Sequence, residues 1–181
     1  MIISKTDLEG LVLIELDRYV DDRGHFLEIY NSIDHDRALT NEYDFVQDNF
    51  SVSKKGVFRG FHFQEAPYSQ AKLVQVLNGS AVDIVIDLRS ASKTYGRSFK
   101  VELSGDDNLQ LFIPGGFAHG FLSLQDNTQF HYKCDNYYSK DHERTLLWNS
   151  LGIDLNLPLK DLIISDKDLS GESFSDFVSP F

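Results

Sequence analysis

Between residues 11 and 134 the chain is a succession of short apolar runs of strand length, separated by Gly, Asp or Asn and without an internal sequence repeat. The signal is strongest over residues 72–88, where Val82, Ile84, Ile86 and Leu88 alternate with Asp83, Val85 and Asp87. That period of two is what a pleated strand imposes on its side chains. Asn78-Gly79 just before it is the dipeptide preferred in a two-residue hairpin turn. Further strands are predicted over residues 11–16, 25–30, 45–52, 98–103, 109–113, 120–124 and 128–134, with Asp21-Asp22-Arg23-Gly24 turning a hairpin between the first two. So many short strands at near-regular spacing restrict the fold to an antiparallel sandwich or barrel. Helix competes in only two places. Asn31-Ser32 can cap a short helix through Leu39, because their side chains accept bonds from free first-turn amides, and residues 159–164 have helical character. The tail, residues 171–181, is polar with scattered Phe and is expected to pack on a neighbour or fray.

A length of 181 residues suits one domain, residues 1–181, and no linker or compositional shift divides it. Seventeen Lys and Arg against twenty-eight Asp and Glu give a formal charge of −11. This disfavours nucleic acid and acidic membranes as partners, so an anionic ligand needs a local cationic pocket. The single Cys134 excludes an intramolecular disulfide. No apolar run is long enough to span a bilayer, and Met1-Ile2-Ile3-Ser4-Lys5 lacks the basic segment and long apolar run of a leader. A cytoplasmic location is the expectation.

The stretch Arg59-Gly60-Phe61-His62-Phe63-Gln64, followed by Gln70-Ala71-Lys72-Leu73-Val74, concentrates polar groups between strand-like runs. His62 and Gln64 share one strand face, and Lys72 points with Val74 and Val76 on the next strand. An unpaired buried polar group costs about 1–3 kcal/mol, so three of them aimed inward argue for a site that a ligand completes. A lone strand histidine is more often structural, but Lys72 is of a type seldom buried without a partner. Ile113-Pro114-Gly115-Gly116-Phe117-Ala118-His119-Gly120-Phe121 adds a second histidine. Arg23 and Arg59, each followed by Gly, are either solvated turn residues or planar forks for phosphate oxygens. Phe26 and Tyr138 are candidates to stack on a base. Tyr132, of like parity to Phe130 and Cys134, is either a core tyrosine or a proton donor across the site from His62. Asp168 can orient a histidine as triad carboxylates do, or be an ordinary surface acid. The spacing of Pro114, Gly116 and His119 resembles the second half of the cupin motif. Metal cupins supply two histidines and a glutamate from the first half, where this chain has His62, Phe63 and Gln64, poor replacements. No metal is expected. Nor is there a Gly-x-Ser-x-Gly elbow, a Gly-rich phosphate loop or a Cys-x-x-Cys.

Taken together, Asp22-Arg23-Gly24-His25-Phe26-Leu27-Glu28, Gln47-Asp48-Asn49, the His62 and Lys72 segments, residues 83–89 and residues 113–121 resemble the dTDP-4-dehydrorhamnose 3,5-epimerase family, over about residues 12–168. The resemblance implies an all-β cupin jelly roll with a few short peripheral helices. It implies a cofactor-independent epimerase that inverts carbon 3, and in some members carbon 5, of a nucleotide-linked 4-keto-6-deoxyhexose. On it, His62 is the base with Asp168 its carboxylate partner, Tyr132 the general acid, and Lys72 the cation at the enolate oxygen. Arg23 and Arg59 match diphosphate ligands, and Glu28, Gln47 and Asn49 nucleoside contacts. Phe26 and Tyr138 match the base-stacking pair, and His119, Glu143 and Lys167 further substrate-side positions. The family also suggests a homodimer completed by exchanged N-terminal strands. The chain departs from it at Lys140, where proline is frequent, and at Asn149-Ser150 after Trp148, where Asp-Pro is frequent. A CDP-linked or GDP-linked sugar therefore stays open beside a dTDP-linked one, as do a cupin 3,4-ketoisomerase and a sugar-nucleotide binding module without turnover.

Overall fold

The computed structural model describes residues 1–39 and 43–181. In chain order the strands are β1 (Ile2–Lys5), β2 (Val12–Glu15), β3 (Arg18–Asp21), β4 (Gly24–Leu27), β5 (Gln47–Ser53), β6 (Val57–Gln64) and β7 (Lys72–Asn78). They continue with β8 (Ser80–Asp87), β9 (Ser98–Ser104), β10 (Leu109–Ile113), β11 (Phe117–Ser123), β12 (Thr128–Cys134), β13 (Glu143–Thr145) and β14 (Ile163–Ile164). Two short helices, α1 (Ser32–Leu39) and α2 (Asp166–Leu169), lie at the periphery. One sheet runs β1-β2-β10-β7-β12-β5 and a second β13-β6-β11-β8-β9, with β14 added to β6; β3 and β4 form a separate two-stranded ribbon. This is the cupin jelly roll that the family resemblance implied, within the sandwich-or-barrel class that the strand pattern implied.

Three apolar layers hold the sheets. Val74, Val76, Leu111 and Phe130 of the first sheet meet Val85, Phe117 and Phe121 of the second, forming the layer between them. The outer face of the second sheet, with Phe58, Phe61, Phe63, Ile84, Ile86 and Leu88, is covered by Leu146, Leu155 and Phe177. The outer face of the first, with Ile14, Leu73 and Phe112, packs under residues of the 27–45 segment. The alternation in β8 thus runs opposite to a simple amphipathic strand. Its purely apolar row faces outward under the C-terminal segment, while Asp83, Val85 and Asp87 face the inter-sheet space.

Four expectations need correction. Asn78-Gly79 does not turn a hairpin, because β7 and β8 belong to different sheets; it is a corner with Gly79 at φ +76°. The Asp22-Arg23 turn joins Arg18–Asp21 to Gly24–Leu27, whereas β2 pairs with β1 and β10. Residues 159–164 form a 3-10 turn at Leu159–Asp161 and then β14, not a helix, because Ile163 and Ile164 gain a parallel pairing with Val57 and Phe58. The tail packs on its own chain instead of fraying. Phe177 is buried against Phe63, and the Phe181 carbonyl accepts from the Ser90 amide. The helix capped near Asn31 is present, with the Ile33 amide on Asn31 Oδ1 at 3.1 Å.

Candidate active site

The mouth of the jelly roll holds a cavity of about 670 Å³ between the two sheets, closed on one side by β13 and α2, a size that suits a small-molecule ligand. Its floor is built by strand parity. Lys72 on β7 and Tyr132 and Cys134 on β12 are paired neighbours, with Cys134 opposite Lys72 and Tyr132 opposite Val74. The facing wall comes from β6 and β11. Arg59 and His62 are three residues apart and should face opposite sides of a regular strand, yet both line the cavity. The register explains it: His119 pairs with His62 but Phe121 with Arg59, so β6 carries one extra residue, a bulge that re-aims side chains. Gly60 sits in it at φ +134°, where a Cβ would lie 2.5 Å from the Gly120 Cα.

His62 Nε2 lies 2.6 Å from Asp168 Oδ1. A carboxylate only accepts, so Nε2 carries the hydrogen and the free lone pair is on Nδ1. Asp168 is buried, not the surface acid its sequence context suggests, and its N–H is capped by Ser165 Oγ at 3.2 Å. Burial by itself raises its pKa, but the hydrogen bond and charge of His62 outweigh that and hold the carboxyl below its usual value. A second pair lies deeper: His119 Nε2 donates to Asp83 Oδ2 at 2.9 Å, with Asp83 wholly buried. Asp83 was not singled out from the sequence; the usable signal was an acid of interior parity in an otherwise apolar strand.

Lys72 is 9% exposed, and no carboxylate of the described residues is within ion-pair distance of it. Burial pushes its ammonium below the ordinary lysine pKa, partly offset by Cys134, Asp83 and Glu143. Its Nζ is 6.0 Å from the centroid of the Tyr132 ring, and burial pushes the Tyr132 phenol up to about 12. At neutral pH the cavity therefore holds a protonated phenol, beside a buried amine without a negative partner among the described residues.

Toward the mouth, Glu143 ties Lys167 (2.6 Å) and the Tyr138 hydroxyl (2.9 Å) together. Gln47 Oε1 accepts from the Tyr138 amide at 2.9 Å, Gln47 Nε2 donates to Asn49 Oδ1 at 3.0 Å, and Asn49 Nδ2 reaches Cys134 Sγ at 3.7 Å. Arg59 Nε donates to Ser53 Oγ at 3.2 Å. Gln64 departs from expectation. Both hydrogens and the oxygen of its carboxamide are bonded to backbone groups, so it has no donor left for a ligand.

Three expected residues are not brought here. Arg23, Phe26 and Glu28 belong to the β3–β4 ribbon and the residues after it, and none lines the cavity. Arg23 is 90% exposed and pairs with Asp21. Among the described residues no cluster of three or more His, Cys, Asp or Glu is arranged to hold a metal ion, and no helix is long and apolar enough to cross a membrane.

The family model for dTDP-4-dehydrorhamnose 3,5-epimerase matches residues 5–176. A dTDP-4-dehydrorhamnose 3,5-epimerase of Shigella flexneri is 42% identical over 176 residues, covering 97% of each chain. The crystal structure of a dTDP-4-dehydrorhamnose 3,5-epimerase from Elizabethkingia anophelis superposes with a TM-score of 0.92 at 42% identity, covering 97% of both chains. A dTDP-6-deoxy-D-glucose-3,5-epimerase from Legionella pneumophila, solved in complex with dTDP-4-keto-L-rhamnose, gives 0.92 at 38% identity, covering 97% of this chain and 94% of that one. A jelly-roll cavity with this composition, on a chain matched almost end to end, places the protein in the dTDP-4-dehydrorhamnose 3,5-epimerase family, as an isomerase that epimerises a nucleotide sugar.

Proposed function

We propose that the protein inverts carbon 3, alone or together with carbon 5, of a dTDP-linked 4-keto-6-deoxyhexose, using side chains alone. The observation that carries this is the joint presence, in one cavity, of the His62–Asp168 pair, the Tyr132 phenol and the unpaired Lys72. A hydrogen on the carbon beside a ketone is acidic because the carbanion delocalises onto oxygen. His62 removes it through Nδ1, Lys72 stabilises the charge that develops on the ketone oxygen, and Asp168 stabilises the imidazolium. Tyr132, on the opposite sheet, returns a proton to the other face and inverts the centre. Arg59 holds the diphosphate, Gln47, Asn49 and Tyr138 the nucleoside, and His119, Glu143 and Lys167 the hexose side. Remote binding thereby orients the sugar between acid and base.

The active unit is a homodimer. Among the described residues the β3–β4 ribbon pairs with no other strand, and Tyr19, Val20 and Phe26 on it are 62%, 74% and 64% exposed. An isolated two-stranded ribbon with bare apolar side chains is marginal in water, whereas lodged on a second copy it delivers Arg23, Phe26 and Glu28 to that copy's cavity.

Incubation with dTDP-4-keto-6-deoxyglucose in deuterated water, followed by NMR, tests the reaction. Deuterium is expected at carbon 3, or at carbons 3 and 5, with inverted configuration, and turnover is expected to survive exhaustive chelation. Migration of the carbonyl to carbon 3 instead identifies a ketoisomerase, absence of exchange a binding module, and turnover of only CDP-linked or GDP-linked substrate a different base. Tyr132→Phe is expected to exchange the acidic hydrogen while losing inversion; undiminished inversion removes Tyr132 from its role.

A further inference from the structure

Gln64 lies two residues beyond His62 on β6 and is buried at the edge of the cavity. Its Nε2 donates to the Tyr68 carbonyl at 2.6 Å and to the Tyr137 carbonyl at 3.1 Å, and its Oε1 accepts from the Ser139 amide at 2.6 Å. Both amide hydrogens and the oxygen are therefore engaged, two of the three contacts bracketing Tyr138 on either side. The loops that meet there form no strand pair; backbone bonds from Glu65 to the His142 carbonyl and from Asp135 to the Ala71 carbonyl hold their ends, and side-chain amides join them between. Gln70 Nε2 donates to the Asn136 carbonyl at 2.7 Å, and Asn136 Nδ2 to the Pro67 carbonyl at 3.0 Å. Tyr138 is 54% exposed, with its amide on Gln47 and its hydroxyl on Glu143. Packing does not fix this ring; its hydroxyl bond to Glu143 and the hydrogen bonds to its own backbone and its neighbours' do.

We infer that Gln64 is a positioning residue that sets the Tyr138 platform for the nucleobase, so that one strand governs both ends of the substrate. His62 addresses the hexose, and Gln64, two residues on, holds the loop that receives the base. This rests on Tyr138 being the nucleobase platform proposed above. A buried glutamine with all its hydrogen-bonding groups committed to backbone fixes geometry more tightly than an apolar residue of the same volume, because each partner it abandons is left unpaired.

The test is titration calorimetry of Gln64→Leu with thymidine diphosphate and with inorganic pyrophosphate, beside Tyr138→Ala. Leucine keeps the bulk and abandons all three backbone partners. The expected result is a Kd for thymidine diphosphate raised about tenfold or more, against less than about twofold for pyrophosphate, with KM rising by a larger factor than kcat falls. Gln64→Glu keeps the acceptor for Ser139 but loses both donors; it is expected to give the same split and carries the test should the leucine variant not fold. Equal loss for both ligands, or a fall in kcat with KM unchanged, overturns the inference. If Tyr138→Ala weakens thymidine diphosphate and the Gln64 variants do not, the role of Gln64 falls alone. If Tyr138→Ala leaves that affinity unchanged, the platform itself falls.

Discussion

Lys72 combines burial, positive charge and the absence of a carboxylate within ion-pair distance among the described residues. A buried unpaired ammonium is a liability to the fold, and at a binding site that liability is offset by a ligand carrying developing negative charge. Lys72→Met, which fills the same space without charge, is expected to lower turnover by about a hundredfold or more while leaving the melting temperature unchanged or raised. A melting temperature that falls instead shows that the ammonium is a structural contact. The sign of the pH dependence follows. Burial lowers the Lys72 pKa in the fold, so the cation is lost on raising pH before the ordinary value of 10.5 is reached. Tyr132 at about 12 stays protonated through that range. The alkaline limb of kcat/KM therefore belongs to Lys72, and solvent exchange catalysed by Tyr132→Phe should retain it. The importance of Lys72 was legible in the sequence because lysine at an interior parity position is rare. The role of Gln64 was not, since parity aims a side chain but does not reveal that backbone from the loop after β6 and from distant residues 137–139 will occupy it.

Strand β6 shows where element-level reading stops. Alternation correctly put His62 and Gln64 on one face, and by the same rule it put Arg59 on the other. The bulge at Gly60 reverses that outcome, and it depends on a close approach to Gly120, sixty residues away in the chain, which no local pattern displays. Gly60→Ala is expected to destabilise by about 1–3 kcal/mol, the range for forcing extra volume into a packed site. Because the bulge alone lets Arg59 and His62 face the same cavity, it should also abolish exchange at carbon 3, whereas a folded variant with normal exchange would show the bulge to be incidental. The C-terminal segment behaves similarly. Its Phe residues looked scattered in sequence, yet Phe174, Phe177 and Phe181 all pack on the outer face of the second sheet. That cover includes Leu146, whose backbone bridges to Glu172, four residues beyond Asp168. Asp168 could be aligned only by resemblance, because a buried acid on a four-residue helix has no periodic context to betray it.

At the scale of the whole molecule, one chain carries three of the four expected cationic ligands of a diphosphate sugar and leaves the fourth on a ribbon outside its own cavity. Arg59, Lys72 and Lys167 line the site, and Arg23 projects into solvent. With a formal charge of −11, the protein repels an anionic substrate at long range, so missing one local cation should weaken binding substantially. The proposed exchange of ribbons between two copies would restore the count, and it would make each site a composite of Arg23 from one copy and His62 from the other. This has a consequence that binding data alone cannot imitate. Arg23→Ala and His62→Ala homodimers should each be nearly inactive at low substrate. When equal amounts are unfolded together and refolded, half of the dimers are mixed, and in each of these one site has both residues intact and the other has neither. Activity should therefore return to about a quarter of the native value, and size-exclusion chromatography with light scattering should give twice the 20.7 kDa chain mass. If Arg23 served the cavity of its own chain, mixing would restore nothing, because every site in the mixture would still lack one of the two side chains.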